Sequence, residues 1–291
     1  MEKRSKKEEP IRVLDLGSGQ GVVQIGAAAR HPNKRLTYVA IDSEIAPSPF
    51  YSEDFENEIA WSFGVHPMGY GGASNRPENM AQLRSNISPI IDDLTRRVTP
   101  FHFSEHIDPY APHEFSNQLA RITSMVGEEL ETAQEKAQYR DGRLRLQLAR
   151  ITSRVGEKPR ETRLKPFFHE IHYHMPFIYP SQPARSGTAS LKVIAKLLRR
   201  NGLFYHITQE DSPLLPFVIH TIEPFEAKVD LIKQAAAKTG LKLIFYKRGK
   251  GRAANEYVAE GEKERVKRFF KPGTSHTFAP HSAHFLLFAK S

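Results

Sequence analysis

The sequence contains no cysteine. Disulfides, thiolate zinc sites, iron–sulfur clusters and a cysteine nucleophile are therefore excluded. It has no apolar run near the ~18 residues a membrane-spanning helix needs, so no membrane partner is expected. Residues 1–12 are polar and charged, without the apolar core of a secretory signal. These absences together lead us to expect a cytoplasmic protein. No Gly-x-Ser-x-Gly elbow and no Walker loop occur, so hydrolase and nucleoside-triphosphatase readings lack their motifs.

What is present is an ordinary globular composition with an uneven charge. Of 291 residues, 39% are hydrophobic and 26% charged, enough to bury a sizeable core. Lys and Arg number 42 against 33 Asp and Glu, a net of +9. Residues 43–137 carry a net of −9, whereas 140–165 and 242–271 carry +6 each. The first basic segment opens at Arg140 and closes at Lys165; the second runs from Lys242 to Lys271. Such segments attract phosphate-rich partners. A solvated surface is the plainer alternative.

The chemistry begins at residues 11–30, IRVLDLGSGQGVVQIGAAAR. Ile11, Val13 and Leu14 read as a buried parallel strand. Gly17, Gly19 and Gly21 follow at alternate positions, and an Ala-rich helix comes next. Glycines let the chain turn tightly and let a ligand approach main-chain N–H groups. The spacing is G-x-G-x-G, not the G-x-G-x-x-G of a dinucleotide fingerprint. Asp15 sits two residues before the first glycine, which suits a cationic amine better than a diphosphate. The second strand, 36–41, ends at Asp42, where a carboxylate can accept from both hydroxyls of a ribose.

Val13-Leu14-Asp15-Leu16-Gly17-Ser18-Gly19-Gln20-Gly21 resembles the first motif of class I S-adenosylmethionine-dependent methyltransferases. Asp42 matches that family's second acid. The resemblance implies an α/β fold with a seven-stranded, mostly parallel sheet, helices on both faces and an antiparallel last strand. It implies S-adenosylmethionine as cofactor. The backbone of Gly17, Ser18, Gly19 and Gly21 would face the methionine moiety, Asp15 would lie near its ammonium, and Asp42 would hold the ribose.

Residues 46–70 hold Phe50, Tyr51, Phe55, Trp61, Phe63 and Tyr70 among prolines and acids. This stretch reads either as a lid over a substrate or as a loop with aromatics plugged into the core. Residues 76–97 read as a helix kinked at Pro89. A third strand is expected at 98–103. Residues 118–128 (QLARITSMVGE) then recur at 147–157 (QLARITSRVGE), identical at ten of eleven positions at an offset of 29. Two copies are too few for a solenoid. Each reads as an amphipathic helix, Leu119, Ile122 and Val126 in the first and Leu148, Ile151 and Val155 in the second, ending near its glycine. We expect a helical hairpin inserted at about 111–165 in a methyltransferase domain spanning 11–291, after a polar tail at 1–10. Its role is either a packing accessory or a basic arm touching nucleic acid or a partner subunit.

Strands are expected again at 167–173, 203–208, 241–246 and 284–289. Helices are expected at 186–200, stopped by Asn201-Gly202, and at 224–239, closed by Gly240. After the fourth strand comes His174-Met175-Pro176-Phe177. It resembles the turn of amine-methylating family members, in particular the Asn-Leu-Pro-Tyr of ribosomal-RNA adenine methyltransferases, with His174 in place of Asn. A turn fixed by Pro176 can aim a carbonyl at an amine, Phe177 can stack on a base, and neutral His174 can accept a proton. A strand-to-helix turn that merely holds these residues is the alternative. His169, His172 and His174 invite a metal reading, but His169 points to the opposite face and no acid obviously completes a set. Structural histidines are the better expectation there, and a metal is no better supported at His276, His281 and His284.

The resulting expectation is a methyltransferase whose acceptor is a nitrogen of an RNA base. A small-molecule or protein methyltransferase, with the 50–70 aromatics as substrate wall, is the first alternative. A non-catalytic cofactor-binding subunit is the second. Oligomeric state is not legible.

Overall fold

The computed structural model describes residues 9–18, 23–42, 88–89, 92–139, 164–175, 188–208, 214–215, 224–250 and 282–291. Its first unit is β1 (Ile11–Leu16), α1 (Val23–Arg30) and β2 (Leu36–Asp42). β1 and β2 pair in parallel, Leu14 beside Val39 and Leu16 beside Ile41. From Val13 to Leu16 no residue is more than 1% exposed, so β1 is covered on both faces, as a central parallel strand should be.

The sheet is completed by β3 (Val98–Ser104), β4 (Phe168–Met175), β5 (Leu198–Thr208), β6 (Leu241–Lys250) and β7 (Ser282–Lys290). The strand order is β3-β2-β1-β4-β5-β7-β6. β7 lies antiparallel between β5 and β6, and the other pairings are parallel. This is the seven-stranded arrangement that the motif at the first turn implied.

Side-chain alternation gives the sheet two unlike faces. On one face Leu14, Leu16, Val39, Ile41, Phe101, Phe103, Ile171, Tyr173 and Phe204 form a single apolar core. Helices α2 (Pro112–Tyr139), α3 (Ala189–Leu197) and α4 (Phe225–Ala237) cover it. They contribute Phe115, Leu119, Ile122 and Val126 from α2, Leu191 and Ile194 from α3, and Ile232 and Ala236 from α4. The opposite face carries α1. Arg97, from the helical turn at 92–97, donates to the carbonyls of Ala28, His31 and Lys34 and so caps the C-terminus of α1.

Two expectations about helix ends are corrected. The first copy of the repeat does not end at Gly127; α2 continues to Tyr139. Gly127 adopts no positive φ, and the following Glu-Glu-Leu-Glu is a good helix former. This copy is a core helix. The second copy, on which the inserted hairpin depends, lies outside the described residues.

α3 stops at Leu197, not at Asn201-Gly202. Leu198 is already extended and pairs with Phe168, after which the register jumps so that Glu170 faces Leu203. Asn201 takes the left-handed conformation at φ 63 within this bulge. Gly202 serves close approach, since a Cβ there would lie 2.9 Å from the Arg199 carbonyl oxygen and 3.1 Å from that of His169. Gly240, by contrast, follows α4 at φ 79, as a helix-stopping glycine does. Of the kinked helix expected at 76–97, residues 88–89 and 92–97 are helical and the rest lies outside the described residues.

Candidate functional site

The strands end nearly level at their carboxyl edge. Leu16 pairs with Ile41 on one side and Tyr173 on the other. Asp42 pairs with Ser104, and His174 with Ile207. The chain leaving β1 at Gly17 therefore emerges between the ends of β2 and β4. Strand order reverses here, β2 and β3 lying to one side of β1 and β4 and β5 to the other. In open α/β sheets, ligands bind at this switch point. Gly17 has φ 71, open to glycine at no steric cost. The N–H groups of Gly17 and Ser18 both donate to the Ile41 carbonyl, at 2.9 and 3.2 Å, which folds the turn back over β2.

Of the expected cofactor residues, Asp15, Gly17, Ser18 and Asp42 are brought together at this edge. Gly19 and Gly21 lie outside the described residues. Asp15 is fully buried, and its Oδ2 accepts a hydrogen bond from the Tyr38 hydroxyl. Its Oδ1 is buried with no hydrogen-bond partner. Burial pushes the Asp15 carboxyl up to about 7; the Tyr38 hydroxyl opposes that rise and nearby Asp42 adds to it. Burial also raises the Tyr38 hydroxyl well above its ordinary range. Gln24, in the first turn of α1, is likewise fully buried, and neither its Oε1 nor its Nε2 has a partner. A buried unmet polar atom costs ~1–3 kcal/mol, so Asp15 Oδ1 and Gln24 Oε1 suit a ligand that brings donors or positive charge, and Gln24 Nε2 one that brings an acceptor.

Tyr38 and Gln24 were not singled out from the sequence. Only the register shows why Tyr38 matters: pairing with Val13 puts it on the same face as Asp15.

Further down the same sheet face lies a second polar cluster. Glu170 of β4 is 2% exposed. It accepts from Arg30 Nη2 at 2.5 Å and lies 2.6 Å from His31 Nε2 and 3.0 Å from His172 Nε2. Burial alone would raise the Glu170 carboxyl, but His172, His31 and Arg30 outweigh it and hold the group well below its ordinary value. His172 stacks on Tyr205 at 4.4 Å, and burial pushes it down to about 4. Arg30 lies over the Tyr205 ring at 4.8 Å. His172 is thus a hydrogen-bonded histidine, as expected, and its partner Glu170 also binds the Arg30 guanidinium. Among the described residues no set of three His, Asp or Glu side chains is arranged to hold a metal ion. His169 points the other way, accepting from the Arg12 N–H at 3.0 Å and lying 3.1 Å from Arg199 Nη1. His284 is buried 2.7 Å from the Tyr246 hydroxyl.

His174 pairs with Ile207 near the end of β4, one residue beyond Tyr173, the register partner of Leu16. Pro176 and Phe177, the aromatic stretch at 50–70, and segments 140–163 and 251–271 lie outside the described residues. Lys242 lies on β6, at the sheet edge. No helix of the described residues is long and apolar enough to cross a membrane.

No family model and no curated protein matches the sequence. Solved structures do align with it. The 16S rRNA methyltransferase KamB aligns over 98% of this chain and 90% of its own, at 14% identity and a TM-score of 0.41. A 30S ribosomal A1408 methyltransferase from an uncultured bacterium aligns over 97% and 88%, at 10% identity and 0.38. A protein of Galdieria sulphuraria provisionally described as a sarcosine dimethylglycine methyltransferase aligns over 98% and 80%, at 11% and 0.35. At these scores it is the chain's own strand order and first turn that define the fold: a seven-stranded, mostly parallel α/β sheet with its glycine turn at the switch point.

Proposed function

We propose that the chain is an S-adenosylmethionine-dependent methyltransferase. The observation that carries this reading is Asp15: a buried carboxylate oxygen without a partner, at the foot of a glycine turn, beside the end of β4. S-adenosylmethionine, when bound, supplies an activated methyl group. This chain's residues would bind and orient. Main-chain groups from Gly17 to Gly21 would line the methionine moiety, Asp15 would accept from its ammonium, and Asp42 would accept from the ribose hydroxyls.

For the acceptor we propose a nitrogen of an RNA base. His174 follows Tyr173, the register partner of Leu16 just before the glycine turn, so the turn His174-Met175-Pro176-Phe177 would begin beside the donor. Pro176 would fix that turn, Phe177 would hold a planar ring, and His174 would face the reacting nitrogen. Methyl transfer is an in-line displacement, so positioning is the main task. The basic segments 140–165 and 242–271 would engage phosphates. The net −9 of residues 43–137 favours a second reading, in which a small molecule or protein is methylated beneath the 50–70 aromatics.

Two measurements test this. Gly19→Val should abolish S-adenosylmethionine binding in calorimetry, because a side chain would fill the space the ligand approaches; wild-type affinity would sink the cofactor assignment. Radiolabelled S-adenosylmethionine offered with separate RNA, protein and metabolite pools should label RNA. Label only in metabolites or protein would leave the cofactor reading and remove the RNA reading.

A further inference from the structure

The reading above leaves the Tyr38–Asp15 pair unused as a pair. Tyr38 is fully buried on β2, and its hydroxyl occupies one oxygen of Asp15. The other oxygen is equally buried and has no partner. Asp15 has few charged neighbours. Tyr38 and Asp42 face it from β2, and His172 is its register partner on β4. From α1, packed over the same face, the charged residues are Arg30 and the adjacent His31, and both are bound to Glu170 at the helix's far end. His102 of β3 lies beyond Tyr38, 6.5 Å from its ring. Among these described groups no formal cation sits against the Asp15 carboxyl.

We propose that Tyr38 is the positioning residue of an ammonium-binding carboxylate: its hydroxyl holds Oδ2 of Asp15, leaves Oδ1 to accept from a cationic amine of the bound ligand, and makes binding of that amine release a proton from Asp15. The inference rests on the reading of the glycine turn as a methyl-donor site. The geometry requires the linkage. A buried carboxyl with one neutral donor and no cation favours its protonated form, and an ammonium beside it favours the ionised form. The proton leaves to solvent as the amine arrives, and no bond to carbon or sulfur changes. Tyr38 supports the ionised form with its hydrogen bond, so removing that hydroxyl makes ionisation harder.

Two ligands separate the amine from the rest of the cofactor. S-adenosylhomocysteine carries the ammonium, and 5′-methylthioadenosine carries the same nucleoside without it. Calorimetry at pH 6 and pH 8, in buffers of different ionisation heat, counts the protons released. Wild type should release a proton on binding S-adenosylhomocysteine at pH 6 and little at pH 8, and none with 5′-methylthioadenosine at either pH. Tyr38→Phe should lower the ratio of the two affinities at pH 6 about tenfold for each unit by which Asp15 rises. It should also move the end of proton release to higher pH. Asp15→Asn should bind without release at any pH, and this variant decides the matter if Tyr38→Phe melts abnormally. A folded Tyr38→Phe with the wild-type release profile overturns the inference, as does release that persists in Asp15→Asn. Wild type binding both ligands with no release overturns it while leaving the donor site intact. Wild type binding neither overturns both.

Discussion

On one face of the sheet Leu14, Val39, Phe101, Ile171 and Phe204 lie in adjoining rows beneath three helices. On the other, Asp15, Tyr38, His102, Glu170, His172 and Tyr205 occupy the alternate positions of the same strands. Both faces are largely buried, yet their physics differ. The apolar face gains by removing surface from water, a term indifferent to pH away from buried His206, which stacks on Tyr173 and Phe204. The polar face must satisfy each group it buries. It does so completely for Glu170, with three partners, and only halfway for Asp15. A region that satisfies its polar groups holds the fold, and one that leaves an acceptor unmet is poised for a ligand.

The largest test of that contrast sets one lesion on each face. Leu14→Ala should cost about 2–5 kcal/mol by cavity formation, at every pH. Glu170→Ala should cost about the same at neutral pH, because it leaves the Arg30 guanidinium uncompensated. The acid limbs should then differ. Glu170 is held below its ordinary value in the fold, so its contribution is present above the unfolded value of 4.5 and lost as pH falls through the folded one. Denaturant titrations from pH 7 downward should show the Glu170→Ala deficit shrinking and the Leu14→Ala deficit constant. Parallel curves would mean that the polar cluster acts by packing alone.

A smaller effect is expected at the bulge between the faces. Gly202→Ala should destabilise by about 1–3 kcal/mol, since the new Cβ meets two carbonyl oxygens that belong to paired backbone. An unchanged denaturation midpoint would show that β5 can shift its register there.

Of opposite sign is Asp15. Its carboxyl is raised from 3.8 to about 7, so its favourable contribution is present below 3.8 and is lost as pH rises through 7. Without ligand, Asp15→Asn should match wild type near pH 4 and be more stable at pH 8, by roughly 4 kcal/mol for the full rise from 3.8 to about 7. Wild type more stable than the variant at pH 8 would mean that Oδ1 has met a donor.

The first unit was legible because each of its signals has one physical meaning. A β-branched run gives a buried strand, alternate glycines give a turn, and level strand ends bring Asp15 and Asp42 to one edge. The strand count and the antiparallel β7 came from the resemblance of that first turn to a known family, not from periodicity. The polar face was less legible. Glu170 and His172 share a strand, but Arg30 and His31 reach them only through the packing of α1, over 139 residues of separation or more. Tyr38 needed the register of β1 against β2, which no periodicity supplies. At Asn201-Gly202 the sequence signal was real but its cause was misread: the pair serves a bulge in β5, not the end of a helix.

Gly127 was misread in the same way, and it yields the smallest prediction. The sequence suggested a stop; the structure puts Gly127 inside α2, in mid-helix, with helical backbone. A Cβ there would meet only Phe167, at 4.0 Å, an ordinary contact. Alanine loses less backbone freedom on folding than glycine and favours a helix interior by about 0.5–1 kcal/mol. Gly127→Ala should therefore stabilise the protein by about that amount, a rise of about 1–3 °C in the melting midpoint for a domain of this size. The same change at Gly202 should lower it. If Gly127→Ala destabilises instead, α2 breaks or bends at this position in solution. The first repeat copy would then end where its sequence suggested, and the residues beyond it would belong with the segment leading to the second copy.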